Sequence, residues 1–122
     1  MDITIKQVEE IVSVLTAEQQ QLLKDTLNYG SWGDGTYDFI DENGKIEEDQ
    51  MCGYCTNDAK RAGHFSGRKI SAMFRSIYKK LCPENGLGTI ISHCSDWWGD
   101  GSGDMLFIRE DYYRAFEEWS KL

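Results

Sequence analysis

The stretch Ala59-Lys-Arg-Ala-Gly-His-Phe-Ser-Gly-Arg-Lys-Ile-Ser-Ala-Met-Phe-Arg-Ser-Ile-Tyr-Lys-Lys-Leu81 reads as the end of one helix, a turn and a second helix. Gly63-His64-Phe65 is the turn and Ser66 has the side chain of a helix N-cap. From Gly67 onward, Ile70, Met73, Phe74, Ile77 and Leu81 recur at helical spacing and make one apolar face. Cys82-Pro83-Glu84-Asn85-Gly86 ends the helix, because proline cannot continue it and glycine favours the turn. At 100° per residue, Arg68, Ala72, Arg75 and Lys79 fall on the stripe opposite the apolar face. Lys69, Ser76 and Lys80 lie on one flank and Ser71 on the other. Between Ala59 and Pro83 there are seven basic residues and no acid, out of 13 Lys and Arg in 122 residues. The net charge of −8 therefore divides into +7 here and −15 elsewhere, where six bases face 21 acids.

Outward from this unit, the preceding helix is expected to begin near Met51 and to carry Cys52, Cys55, Ala59 and Ala62 on one face. Before it, Tyr37 to Asp41 and Lys45 to Glu47 flank Glu42-Asn43-Gly44, a hairpin signal. Residues 34 to 49 hold seven acids and one base, Lys45. Two amphipathic helices open the chain. Thr4 with Gln7, and Thr16 with Gln19, have capping-box spacing. Ile5, Val8, Ile11, Val12 and Leu15, then Leu22, Leu23 and Leu27, supply their apolar stripes. Past the quoted stretch, Leu87 to Ser95 and Asp104 to Ile108 read as strands. A final helix from Glu110 to Leu122 would bury Tyr112, Phe116, Trp119 and Leu122. With no repeat or linker, residues 1–122 form one domain, and 40% hydrophobic composition suffices for its core.

This order of elements resembles the winged helix-turn-helix family. Ala59-Lys-Arg-Ala-Gly63 matches the alanine and glycine of that motif's first helix and turn, Ser66 opens its recognition helix and Ile70 packs inward. Residues 17 to 108 would be covered, with Thr89 to Ile108 as the wing. The resemblance implies an α+β, mainly helical, winged-helix-like domain of about five helices with one or two β-hairpins. It further implies a DNA-binding regulator whose helix 67–81 enters the major groove, as a homodimer formed through the first or last helix. Arg68, Arg75 and Lys79 would make the main contacts, supported by Lys69, Ser71 and Lys80. Two features depart from the family. Gly63 to Ile70 is one residue longer than usual, and the wing tip carries Asp96, Asp100 and Asp104 in place of cations.

Other chemistries fit less well. Cys52-x-x-Cys55 with Cys82 and Cys94 could in principle hold zinc. The second pair, however, stands 12 positions apart, so no metal and no cofactor is expected. His93 and Cys94, adjacent on a strand, point to opposite faces and cannot form a thiol dyad. No Gly-x-Ser-x-Gly elbow is present, and the glycine loop 99–104 lacks the lysine of a phosphate loop. Setting Gly44 at the sharp turn of a calcium loop puts Phe39 and Gln50 where carboxylates belong. The chain is thus expected not to be an enzyme. No run of 18 apolar residues is present and the first residues do not read as a secretory leader, so a cytoplasmic location with reduced thiols is expected.

The alternative reading belongs to another class. It is a small acidic protein, of the kind carried by phages and mobile elements, that inhibits a nucleic-acid-binding partner through protein contacts. Glu42, Glu47, Glu48, Asp96, Trp97, Trp98 and Asp100 would form its interface. One of the two tryptophans would face outward as an anchor, unless the last helix and Trp119 cover it.

Overall fold

A computed structural model describes residues 3–101 and 103–122; Met1, Asp2 and Ser102, the last within the glycine loop 99–104, lie outside the described residues. The chain is α+β. Its elements run α1 (Ile5–Val12), α2 (Ala17–Tyr29), β1 (Asp34–Ile40), β2 (Ile46–Cys55), α3 (Thr56–Ala62), α4 (Gly67–Leu81), β3 (Ile91–Cys94), β4 (Met105–Arg109) and α5 (Glu110–Ser120). Both expected capping boxes form. Gln7 N donates to Thr4 Oγ1 at 3.2 Å and Thr4 N to Gln7 Oε1 at 2.8 Å. Thr16 and Gln19 repeat the exchange. Lys69 N donates to Ser66 Oγ, so α4 starts where its cap predicts.

The stretch from Met51 to Cys55 is strand, which corrects the helix expected there. Cys52 and Cys55 have the three-residue spacing of a helix face, but pairing on both sides of the segment overrides that local period. Asp34 opposes Cys52 on one side, and Cys52 opposes Ile108 on the other. Met51, Cys52, Gly53 and Tyr54 are all buried, so the strand has no polar alternation to reveal it. The two expected hairpins consequently join in one antiparallel sheet of order β1-β2-β4-β3. β3 is shorter than the expected 87–95.

The sheet is curled: its edge strands approach each other, and Ile40 N donates to Gly88 O at 3.0 Å. It divides the interior in two. On one face, Cys52, Tyr54, Leu106, Ile108 and Ile91 pack beneath the helices with Leu22, Leu23, Phe74, Ile77, Phe116 and Trp119. On the other, Phe39, Met51, Met105 and Phe107 form a second, smaller core, flanked by Tyr37, Cys55, Cys94 and Trp97. Tyr37 stacks on Phe107 with centroids 3.8 Å apart. Leu122, expected inside, is 72% exposed, because α5 ends at Ser120.

Candidate nucleic-acid interface

α4 is held by its apolar face, with Ile70, Phe74, Ile77 and Tyr78 buried and Met73 and Leu81 partly so. Arg68, Lys69, Ser71, Ala72, Arg75, Lys79 and Lys80 are exposed. The two flanking lysines are occupied by the start of α2. Lys69 Nζ pairs with Glu18 Oε2 at 2.6 Å, and Lys80 Nζ donates to Gln19 Oε1 at 2.8 Å. Gln19 Nε2 also donates to Ser76 Oγ at 2.7 Å. These contacts dock α4 against α2 and leave Arg68, Ser71, Ala72, Arg75 and Lys79 along the outer face. From Arg68 to Lys79 that face runs about 16 Å. Arg68, Arg75 and Lys79 stay exposed, and Glu47 and Asp49 of the acidic hairpin pair with Arg109. Lys60 extends the basic surface at the other end, its side chain lying along Gly67 at the first turn of α4. Its position depends on the αL turn at Gly63, φ 75°, which folds α3 back beside α4.

The acids and tryptophans expected to form one protein interface separate into two places. Glu42, exposed, lies in the β1–β2 turn, and Glu48 is exposed on β2 close to it. Trp97 and Trp98 instead meet Trp32, which precedes the opposite end of β1. The seven residues of β1, about 20 Å from end to end, part these groups. Trp97 is partly buried against the second core and Trp98 is 43% exposed. Trp119 lies in the helical core and covers neither. Trp32 is the member that sequence reading missed. Only its neighbours in space distinguish it from a loop residue.

The four cysteines do not converge. Cys52 Sγ contacts Ser31 Oγ at 3.2 Å, Cys82 Sγ donates to Ile91 O at 3.0 Å, Cys55 occupies the N-cap position of α3, and Cys94 lies against Tyr37. Among the described residues no three His, Cys, Asp or Glu side chains are grouped as a metal site needs. Burial pushes the Cys82 thiol up to about 12, which suits a packing residue better than a nucleophile.

The histidines have carboxylate partners. His64 Nδ1 lies 2.9 Å from Asp25 Oδ2. His93 stacks on Tyr78, and its Nε2 is 3.4 Å from Asp104 Oδ2. Burial raises the Asp104 carboxyl, but His93, the Asp96 N–H and Arg75 outweigh it and hold the group below its ordinary range. Arg75 thus reaches electrostatically from α4 to the base of the β3–β4 loop. His93 and Cys94 belong to opposite faces, as strand alternation requires. Comparison with protein-family models, curated proteins and solved structures gives no match to this chain.

Proposed function

We propose that this protein binds nucleic acid, with DNA as the expected polymer, through the outer face of α4. The observation that carries the reading is that stripe. Arg68, Arg75 and Lys79 are exposed at helical spacing around the small Ser71 and Ala72, with no acid on the element. Cations suited to phosphate thus surround a strip where a base edge can come close. Support also comes from the element order. α3, a tight turn and α4 precede the β3–β4 hairpin, and β4 pairs with β2, the strand before α3. A winged-helix-like regulator has this plan. The β3–β4 loop would contribute little, because Trp97 is folded back on the second core and Asp96 and Asp100 would repel phosphate.

Fluorescence anisotropy of a mixed-sequence duplex tests the reading. The chain should bind at low salt and weaken as salt rises, and Arg68→Ala/Arg75→Ala/Lys79→Ala should abolish the complex. Equal binding by the triple variant would refute α4 as the contact face.

A further inference from the structure

Trp32 and Trp98 stand out from the rest of the surface. They are 54% and 43% exposed, although each large indole would gain by burial. The backbone that carries them is tied down at Trp32, whose N–H donates to Gly53 O at 2.7 Å, and at Trp97, beside Trp98, whose N–H donates to Gly103 O at 3.2 Å. The Trp32 ring meets Trp97 at 6.2 Å and 80°, and Trp98 at 6.5 Å and 79°. Tyr37 lies beneath, edge-on to Trp97 at 6.1 Å. The exposed parts of Trp32 and Trp98 thus belong to two nearly perpendicular rings in contact with each other.

Carboxylates flank these rings in the chain. Residues 31–41 and 94–104, which carry all three tryptophans, contain six Asp and no Lys or Arg. Asp41 lies past the far end of β1 and Asp104 is buried against His93, so the attraction at the rings is carried by nearer acids such as Asp34 and Asp96. Asp34 stands two residues after Trp32 and Asp96 directly before Trp97; both are exposed. The Asp96 carboxylate is held in its loop by the Gly101 N–H at 2.7 Å. Indole faces attract cations through the ring quadrupole, and neighbouring carboxylates add long-range attraction. Phosphates would be repelled here, so the rings do not suit base stacking of a nucleic acid.

We propose that Trp32, Trp97 and Trp98 form a docking site for a Lys or Arg side chain on a basic segment of a protein partner. The site is independent of α4 and does not rest on the nucleic-acid reading. A cation would sit against the indole faces while Asp34 and Asp96 draw the segment in. One protein could then hold a basic partner at one end and a polyanion on α4.

The probe is a hexalysine peptide titrated into the full chain, followed by the indole N–H signals in two-dimensional NMR. The Trp32 and Trp98 signals should shift saturably while Trp119, buried in the helical core, stays still. Trp32→Ala/Trp98→Ala should weaken hexalysine binding about tenfold. Asp34→Asn/Asp96→Asn should weaken it less and remove most of its salt dependence. Arg68→Ala/Arg75→Ala/Lys79→Ala should bind the peptide as the parent does, which separates this site from the α4 face. Far-UV circular dichroism checks that both tryptophan replacements, made at exposed positions, leave the fold intact. Three results would overturn the proposal: no saturable shift, the same shifts with oligothymidylate, or shifts that follow dilution of the chain alone and so report self-association.

Discussion

Asp104 shows how one residue ties together a strand, a loop and a helix start. Its Oδ2 faces His93 on β3, its Oδ1 accepts the Asp96 N–H, and its backbone carbonyl accepts Thr56 N at the start of α3. Its carboxyl is held below the ordinary range, so the folded state prefers the ionised form. The stabilisation is present above the unfolded pKa, about 3.9, and is lost as pH falls through the lower folded value. Thermal midpoints measured from pH 5 to pH 2 should therefore fall, and Asp104→Asn should flatten that acid limb. Gly30 makes a second residue-scale case. A Cβ there would overlap the carboxylate of Asp58, which accepts the Cys55 N–H at 2.9 Å and caps α3. Gly30→Ala should cost about 1–3 kcal/mol, read as a lowered urea midpoint with unchanged slope. Neither role could be read from the sequence, because each depends on a neighbour brought close by the fold. Asp25 beside His64 is the same kind of contact.

Among the elements, α4 was the most legible. Its cap, its apolar period and its proline stop are all local, and together they place both ends at Gly67 and Leu81. α1 and α2 were legible for the same reason. β2 was not. In the ten-residue strand from Ile46 to Cys55, four polar residues, Glu47 to Gln50, are followed by four buried ones, Met51 to Tyr54, so neither half alternates. Its central position is set by partners more than 50 residues away, such as Leu106 opposite Tyr54. Phe107 on the neighbouring β4 holds the second core together, stacked on Tyr37 and edge-on to Trp97 at 5.3 Å. Phe107→Ala should destabilise the fold by about 3–5 kcal/mol, measured in urea. The Trp97 indole N–H should move with it, whereas Trp119, in the other core, should not.

At the level of the whole molecule, charge is segregated, and the outcome for binding depends on where each part faces. Four cations, Lys60, Arg68, Arg75 and Lys79, stand on or beside the outer face of α4. A contact through them alone predicts a slope of log K against log salt of roughly −3 to −4. Replacing Lys79 by Ala should reduce the slope by about one and weaken all duplex sequences alike. Anisotropy titrations at four salt concentrations measure both quantities. By itself, the sequence determined four of the five helices, the Asn-Gly hairpin and the basic stripe, but it began the helix before the Gly63 turn five residues too early, where β2 runs. Each follows from spacing within a few residues, where sterics, capping and amphipathic period act. The tertiary structure alone decided that both hairpins share one curled sheet, that Lys69 and Lys80 turn toward α2, and that Trp32 joins Trp97 and Trp98. The physical reason is range: strand pairing and ring contacts draw their free energy from residues far apart in the chain, whose meeting no local pattern encodes.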